Sequence, residues 1–255
     1  MTGRSTTRVV KKLTWLVAYV RKLGLMVCLS LSANAQAAEL SPLTAASGNV
    51  PPPPWHVVGL PERYAKPWTQ FDVTNLDGKR VLRVQAHKAY GNLVHKWSGP
   101  ASSLQFKWRL DTPLLRANLK DKNTEDIALK VCVSFDLPVD SIPASERAKF
   151  KLAQFFSPDK LPTATLCYIW DHTLPVGNEL RSPYTGRVRY IVVNSGEAQL
   201  KTWQEHQRNI AADFLRSFGQ EASTVPAVTA IIVGADSDNT GDSSLGYVAD
   251  ISVQP

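Results

Sequence analysis

The sequence is poor in cysteine and lacks the short motifs that identify many catalytic and nucleotide-binding sites. Only 3 of the 255 residues are cysteine, and no CxxC pair is present. The five histidines show no HxH, HxxxH or HExxH spacing, so a zinc site is disfavoured. There is no GxSxG elbow for a serine nucleophile, and neither GxGxxG nor a P-loop for phosphates. Nucleotide hydrolysis and dinucleotide chemistry are therefore disfavoured as well.

The positive charge of the chain is confined to its first residues. The formal net charge is +7, from 29 basic and 22 acidic residues, but residues 1–37 contain six of the basic residues and no acidic one. The remainder therefore has 23 basic against 22 acidic residues. A nearly neutral protein lacks the electrostatic footprint of a nucleic-acid-binding protein. We expect no nucleic-acid partner.

Residues 1–37 have the pattern of a secretory signal peptide. Arg21 and Lys22 precede a short apolar run over residues 23–31, and small residues follow. The cleavage rule favours a cut after Ala37. A membrane anchor is the alternative, but it would leave both charges within the bilayer. We expect a periplasmic or secreted protein with no stable transmembrane segment after signal cleavage, because no later apolar stretch is long enough to span.

Four consecutive prolines divide the rest of the chain. Residues 51–54 are all proline, and proline runs favour an extended, semi-rigid conformation without a core. We therefore predict a Pro-rich spacer over residues 38–54 and a single domain over residues 55–255.

Patterns typical of β-strands dominate that domain. Apolar and polar residues alternate over residues 104–111, which is the period of a half-buried strand. Asp77-Gly78 predicts a hairpin turn. Other strands are predicted near residues 55–59, 69–75, 81–86, 91–97, 128–136, 164–171, 187–194, 200–207, 228–235 and 245–253.

Two amphipathic helices are predicted over about 143–156 and 210–218, the second with Asn209 as its N-cap. Because strands and helices do not alternate, the pattern predicts a mainly β fold. The best fit is an antiparallel, jelly-roll-like β-sandwich decorated with two short helices, and a closed barrel is the alternative.

Two cysteines follow the leader, Cys132 and Cys167, and each lies inside an apolar strand-like run. Export to an oxidising compartment permits a disulfide between them. Two buried free thiols on neighbouring strands are the alternative.

An acidic loop over residues 234–242 is the most specific local motif. Its sequence, Gly-Ala-Asp-Ser-Asp-Asn-Thr-Gly-Asp, places oxygen-bearing side chains at alternating positions on a turning backbone, as calcium loops do. Tyr247 stands where an EF-hand has its closing glutamate, so this is no EF-hand. A Ca²⁺ site of a different kind or an ordinary hairpin loop remain the two interpretations. The candidate ligands are Asp236, Asp238, Asn239 and Asp242.

Aromatic and charged side chains on strands are the candidate ligand-binding residues. Exposed tryptophan and tyrosine rings stack on sugars, and six tryptophans follow residue 37: Trp55, Trp68, Trp97, Trp108, Trp170 and Trp203. Polar residues such as Lys130 alternate with apolar neighbours on the predicted strands. The candidates are Trp108, Arg109, Asp136, Trp170, Asp171 and Arg189. Core filling by the tryptophans and a solvated face of polar residues are the alternatives.

A carboxylate pair for glycoside chemistry would have to come from acidic residues on these strands. Glu125 and Asp126, with Asp136 and Asp171, are the available groups. Such a pair needs a separation of roughly 5–9.5 Å, which the sequence alone does not specify.

Several motifs occur in a characteristic order. They are Tyr-Gly-Asn-Leu-Val at 90–94, Phe-Lys-Trp-Arg-Leu at 106–110, Lys-Val-Cys-Val-Ser-Phe-Asp at 130–136 and Gly-Ala-Asp-Ser-Asp-Asn-Thr-Gly at 234–241. Over nearly all of residues 55–253 the chain resembles a bacterial exported family known as domain of unknown function 3047. The resemblance implies a single-domain, exported, Gram-negative protein, and it assigns no activity, ligand or catalytic residue.

These observations favour a non-enzymatic exported β-sandwich that binds a glycan or another cell-envelope component. One alternative is an envelope polysaccharide hydrolase or lyase that uses carboxylates carried on strands. Another is a structural or assembly partner in the envelope.

Overall fold

The computed structural model describes residues 39–60, 66–99, 101–157 and 160–254. The predicted signal peptide, residues 1–37, lies outside the described residues. Within the described ranges, no helix is both long enough and apolar enough to cross a membrane.

The described residues form two packed sheets of twelve strands, which confirms the predicted β-sandwich. A seven-stranded sheet has the order β1-β4-β11-β6-β7-β9-β8, and a five-stranded sheet has the order β10-β5-β12-β3-β2. The strands are β1 His56–Val58, β2 Gln70–Leu76, β3 Lys79–His87, β4 Tyr90–Gly99, β5 Ser103–Thr112, β6 Ile127–Phe135, β7 Ala164–Asp171, β8 Glu179–Arg181, β9 Val188–Ser195, β10 Gln204–Asn209, β11 Val228–Asp236 and β12 Ser243–Gln254.

One strand pair departs from the predicted antiparallel arrangement. β7 and β9 run parallel, while the other named pairs are antiparallel. A parallel pair needs a crossover connection. Residues 172–187 make that return, and they contain β8, which pairs with β9 at the sheet edge. No strand was predicted at β8, which has only three residues.

Both predicted helices are present. Helix α1 spans Ala144–Phe156 and helix α2 spans Ile210–Phe218. The Asn209 side chain accepts a hydrogen bond from Ala212 N at 2.9 Å, which confirms the predicted N-cap. Helix α2 buries Ile210, Phe214 and Phe218, but α1 contains no buried residue.

The core lies between the two sheets. Side chains alternate between the faces of a strand, and the apolar residues predicted over 104–111 all point inward. The odd-numbered residues of β6, from Leu129 to Phe135, meet them from the seven-stranded sheet. A second apolar cluster, which includes Ile169 and Val192, covers the outer face of this sheet. As a result, β6 and β7 are buried on both faces.

The segment predicted as a spacer belongs to the domain. Leu40 and Leu43 are buried in the main core. The Arg80 side chain donates hydrogen bonds to two carbonyls of this segment, and Trp55 Nε1 donates to Ser41 O at 2.8 Å. The prediction of a spacer over 38–54 is therefore wrong for residues 39–54. Its two leucines bury apolar surface in the core, which the run of prolines does not prevent.

Cys132 and Cys167 form a disulfide bond. The two residues are directly opposite each other in the β6–β7 pair, on the outer face of the seven-stranded sheet. Of the two sequence interpretations, the structure has the bridge and not the free thiols.

Candidate functional site

A lysine lies near the middle of β6, an otherwise largely apolar strand. Lys130 has even parity, so its side chain points to the outer face of the seven-stranded sheet, and the residue is 8% exposed. It crosses the neighbouring strand at Gly234. A Cβ at Gly234 would lie 2.8 Å from Lys130 Cε and 2.3 Å from Asn92 Oδ1. Because Gly234 has no side chain, Lys130 and Asn92 can occupy the space beside it.

The Lys130 ammonium group donates a hydrogen bond to the Asp236 carboxylate, and both side chains are buried. Burial raises the pKa of Asp236 to about 7, although the neighbouring ammonium group acts in the opposite direction. Burial also acts to lower the pKa of Lys130, but the charges of Asp236 and Tyr90 outweigh it and raise that pKa. Lys130 Nζ lies 5.6 Å from the centroid of the Tyr90 ring. The Tyr90 ring therefore lies beside the ammonium group.

A second buried carboxylate lies beside this pair. Glu125 accepts hydrogen bonds from the Tyr190 hydroxyl and, at 3.0 Å, from Ser182 Oγ. Burial raises the pKa of Glu125, and these donors and Lys130 only partly offset it. Burial likewise raises the pKa of Tyr190. The outer face of the sheet therefore holds two carboxyl groups of raised pKa near one ammonium group.

Asp126 holds the acidic loop in place. Its carboxylate accepts hydrogen bonds from Asn239 N at 3.2 Å, Thr240 N at 2.7 Å and Thr240 Oγ1 at 2.6 Å. Carboxylate oxygens of Asp126, Asp236 and Asp238 all lie within 4.8 Å of one another. We call Tyr90, Asn92, Glu125, Asp126, Lys130, Asp236 and Asp238 the Lys130 cluster.

The side chains of the Lys130 cluster do not suit the binding of a calcium ion. Calcium needs several free oxygen ligands, but Asp236 is paired with Lys130, and Asp126 is engaged by three donors of the loop. A divalent cation here would also be repelled by the buried ammonium group. Of the three carboxylates, only Asp238 is half-buried and accessible from solvent.

The other two predicted ligands lie elsewhere in the loop. Asn239 Nδ2 donates a hydrogen bond to Glu125 O at 2.7 Å. The Asp242 carboxylate binds the Arg116 guanidinium through both oxygens, at 2.5 and 2.9 Å. The four predicted ligands therefore do not converge on one point, and hydrogen bonds with Asp126, Glu125 and Arg116 hold the loop.

Two exposed aromatic residues border the Lys130 cluster. Trp68 is 54% exposed and forms a β-bridge with Tyr90. Tyr184 is 55% exposed, and its hydroxyl donates to Lys122 O at 2.6 Å and lies 3.4 Å from Asn239 Oδ1. Trp68 borders the cluster on the β4 side, and Tyr184 borders it on the β8 side. Among the described tryptophans, Trp68 alone is exposed.

The two predicted tryptophans of the ligand site belong to the core. Trp108 is fully buried and Trp170 is 2% exposed, and their ring centroids lie 6.0 Å apart. Trp108 Nε1 donates to Asn194 Oδ1 at 2.8 Å, and Trp170 Nε1 donates to Gly196 O at 3.0 Å. Neither ring offers a face for stacking on a sugar. This placement corrects the prediction: the inward parity of both strands directs them between the sheets.

The two predicted arginines have structural partners. Arg109 lies on the outer face of the five-stranded sheet and binds Asp111 and Asp77, at 2.7 and 3.2 Å. Arg189 is buried, stacks 3.9 Å from the Phe218 ring centroid and pairs with Glu221. The structure does not bring these two arginines together.

The two predicted strand aspartates lie at opposite ends of the seven-stranded sheet. Phe135 is opposite Ala164 in the β6–β7 pair, so Asp136 lies at the end where β7 begins. Asp171 lies at the far end of β7, on the order of 20 Å away at the usual rise per residue. Asp136 is exposed and pairs with Lys160, and Asp171 accepts from the backbone of the following turn. Asp136 and Asp171 are therefore too far apart to act together as a carboxylate pair.

A pocket of about 640 Å³ opens between the edges of the two sheets, and His206, Arg208 and Arg216 line part of it. Its charges are already paired. Arg208 binds Asp213 at 2.8 Å, and Arg216 binds both Asp213 and Glu179. The pocket therefore offers no unpaired arginine for a ligand.

Sequence reasoning noted Lys130, Glu125 and Asp126 but did not connect them, and it missed Tyr90, Asn92 and Tyr190. A usable signal is the single lysine within the run Ile-Ala-Leu-Lys-Val-Cys-Val. Lysine is almost never fully buried without a partner. A lysine in a strand buried on both faces therefore requires a buried counter-ion.

Comparisons with solved structures return distant similarities to other β-sandwiches. The carbohydrate-binding module TmCBM61 in complex with β-1,4-galactotriose has 9% identity and a TM-score of 0.33, with 79% of this chain and 88% of that chain covered. A family 12 xyloglucanase from Bacillus licheniformis has 11% identity and a TM-score of 0.39, with 78% and 100% covered. Endoglucanase 3 of family GH12 from Trichoderma harzianum has 12% identity and a TM-score of 0.37, with 73% and 85% covered.

None of the curated proteins matches the sequence significantly. A family model does match, over residues 53–252, which is most of the chain and nearly all of the sandwich. The predicted resemblance is thereby confirmed: the chain belongs to the family described as protein of unknown function (DUF3047).

Proposed function

We propose that this protein is an exported, non-enzymatic β-sandwich that binds a glycan of the cell envelope at the Lys130 cluster. The observation that carries the proposal is the exposure of Trp68 beside this cluster of polar side chains. The charge pattern of residues 1–37 supports export to the periplasm or beyond.

The chemistry of the cluster suits a sugar. A pyranose ring has an apolar face that packs on an exposed indole, and a rim of hydroxyl groups that needs hydrogen-bond partners. Tyr90, Asn92 and Asp238 are half-buried beside Trp68 and the loop. These three side chains provide hydroxyl, amide and carboxylate groups for the sugar rim. Tyr184 provides a second exposed ring on the opposite border.

Affinity electrophoresis in gels that contain soluble polysaccharides, with pull-down on peptidoglycan and insoluble polysaccharide, tests the proposal. We expect retention of the protein by at least one glycan and a loss of retention in Trp68→Ala. Trp203→Ala is the matched control, because this half-buried tryptophan donates to Asp77 at the five-stranded sheet. Failure of the protein to bind across a broad panel, or an equal loss in both variants, would contradict the proposed site.

Glycoside hydrolysis at the same cluster is the second candidate. It is favoured by the raised pKa of Asp236, about 7, because a general acid must remain protonated near neutral pH. Oxygens of Asp236 and Asp238 lie within 4.8 Å of each other, close to the spacing of about 5–5.5 Å between the carboxyl groups of retaining glycosidases.

Release of reducing ends from a bound polysaccharide distinguishes the two candidates. Hydrolysis predicts release that is lost in Asp236→Asn and Asp238→Asn, while Asp136→Asn keeps it. Binding of a glycan without any release would eliminate the hydrolase and retain the binding protein.

A further inference from the structure

Helix α1 presents three large apolar residues to solvent, while Phe150 is half-buried on the inner side with Glu146, Arg147 and Gln154. Phe155, Leu152 and Phe156 are 81%, 60% and 50% exposed. Residues three or four apart share one face of a helix, so these three form one stripe together with exposed Ala148. An ordinary surface helix buries its apolar stripe, whereas this stripe faces solvent.

The opposite face of α1 makes one ion pair with the sandwich and two hydrogen bonds with the segments that flank the helix. Glu146 pairs with the buried Arg187 at 2.8 Å. Arg147 donates to Ile142 O at 3.0 Å, and Gln154 Oε1 accepts from Leu161 N at 2.7 Å. Glu146 therefore faces the sandwich, on the side of the helix opposite to the apolar stripe.

Two lysines flank the apolar stripe. Lys149 precedes Leu152 by three residues and Phe156 by seven, and Lys151 precedes Phe155 by four. At 3.6 residues per turn, these spacings place one lysine on each side of the stripe. Both lysines are exposed. Within the described part of the chain neither has an ion-pair partner, whereas Arg147 pairs with Asp140 and Lys160 pairs with Asp136.

We propose that the outer face of α1, formed by Ala148, Lys149, Lys151, Leu152, Phe155 and Phe156, docks onto a phospholipid bilayer with anionic headgroups. Helices that lie in a membrane interface have phenylalanine and leucine on one side, with lysines at its margins. The aromatic and leucine side chains enter the headgroup–acyl boundary. The lysines keep their stems along the apolar surface and their ammonium groups at the phosphates. The occupant is a lipid surface and not a protein groove, because an unpaired cation lies on both sides of the stripe.

Co-sedimentation of the purified protein with vesicles tests this inference. We expect binding to vesicles of phosphatidylglycerol and phosphatidylethanolamine, and much weaker binding to pure phosphatidylcholine. Leu152→Ser with Phe155→Ser should weaken binding at least tenfold, because the inserted apolar area is lost. Each of Lys149→Gln and Lys151→Gln should weaken it about fivefold. Raising the salt concentration should mimic the lysine changes.

Matched controls keep the test independent of folding and of glycan binding. Leu115→Ser alters a leucine that is 56% exposed elsewhere, and it should bind vesicles as the unchanged protein does. Phe155→Trp should give a blue shift of emission with anionic vesicles only. The inference is overturned if the protein ignores anionic vesicles, or if Leu115→Ser weakens binding as much as the helix variant. It is also overturned if the stripe instead joins two copies, seen as a dimer that Phe155→Ser dissociates without any vesicle binding.

Discussion

Lys130 and Asp236 form a buried ion pair across the β6–β11 strands, on the outer face of the seven-stranded sheet. Breaking such a pair on one side leaves a buried charge, which costs about 3–5 kcal/mol. Above about pH 8, where the Asp236 carboxyl is ionised, we therefore expect Lys130→Met to lower the free energy of unfolding by about that amount. Lys130→Met combined with Asp236→Leu should regain most of the loss. Denaturant unfolding measures both.

The control for this prediction is Lys96→Met, an exposed lysine on β4, which should change stability by less than about 0.5 kcal/mol. A similarly small effect of Lys130→Met would contradict the prediction, because it would show that the pair with Asp236 contributes little to stability.

The pKa of Asp236, raised to about 7, predicts that its contribution to stability decreases as the pH rises. Between about pH 4 and 7 the folded protein retains a proton that the unfolded chain has lost. Its free energy of unfolding should fall with rising pH by up to about 1.4 kcal/mol per pH unit from this group. Asp236→Asn should remove that slope. Parallel slopes in the two proteins over this range would contradict the raised pKa.

His206 predicts the opposite dependence. Burial, followed by the charge of Arg208, lowers its pKa to about 4. Asn194 Oδ1 accepts from Trp108 Nε1 and lies 2.6 Å from His206 Nε2, so the neutral ring carries its proton on Nε2. Between about pH 6.5 and 4 the unfolded chain binds a proton that the folded state does not. The contribution of His206 to stability should therefore fall as the pH decreases, by up to about 1.4 kcal/mol per unit.

Thermal unfolding of His206→Gln, followed from pH 7 to 4, checks this prediction. The pH dependence of the variant should differ from that of the unchanged protein by the His206 contribution, and His87→Gln, an exposed histidine, should keep the unchanged pH dependence.

The donor set of the acidic loop predicts no stabilisation by calcium. Asp236 and Asp126 are already satisfied by Lys130 and by the loop itself, so the melting temperature should be equal in calcium and in chelator. An upward shift in calcium that disappears in Asp236→Asn with Asp238→Asn would restore the metal interpretation, since binding to the native state alone raises stability.

The Cys132–Cys167 disulfide closes a loop with a sequence separation of 35 residues. The entropy of loop closure predicts a contribution of roughly 3–4 kcal/mol. Reduction should therefore lower the denaturant midpoint by an amount of that order. The double variant Cys132→Ser, Cys167→Ser should unfold at the lower midpoint and should not respond to reductant.

The sequence predicts local periodicity well and long-range pairing poorly. The alternation over 104–111 correctly predicts a strand, and the Asn209 cap and the Asp77-Gly78 turn are confirmed, since each depends on a few adjacent residues. The register of β6 with β7 and β11 is not encoded locally. This register separates Asp136 from Asp171 and places Lys130 next to Asp236.

Helix α1 shows a related difficulty. Its spacing predicts an amphipathic helix correctly, but the same spacing does not tell which face the domain covers. That choice depends on Arg187 and on the Leu161 backbone, which bind the polar side.

The bridge between β6 and β7 has a consequence for the segment that connects these strands. The disulfide between Cys132 and Cys167 closes residues 133–166, including α1, into a covalent ring. A protease that cuts the exposed helix would open this ring without releasing either part of the chain. The two halves would remain one molecule in an oxidising compartment and separate only after reduction and unfolding.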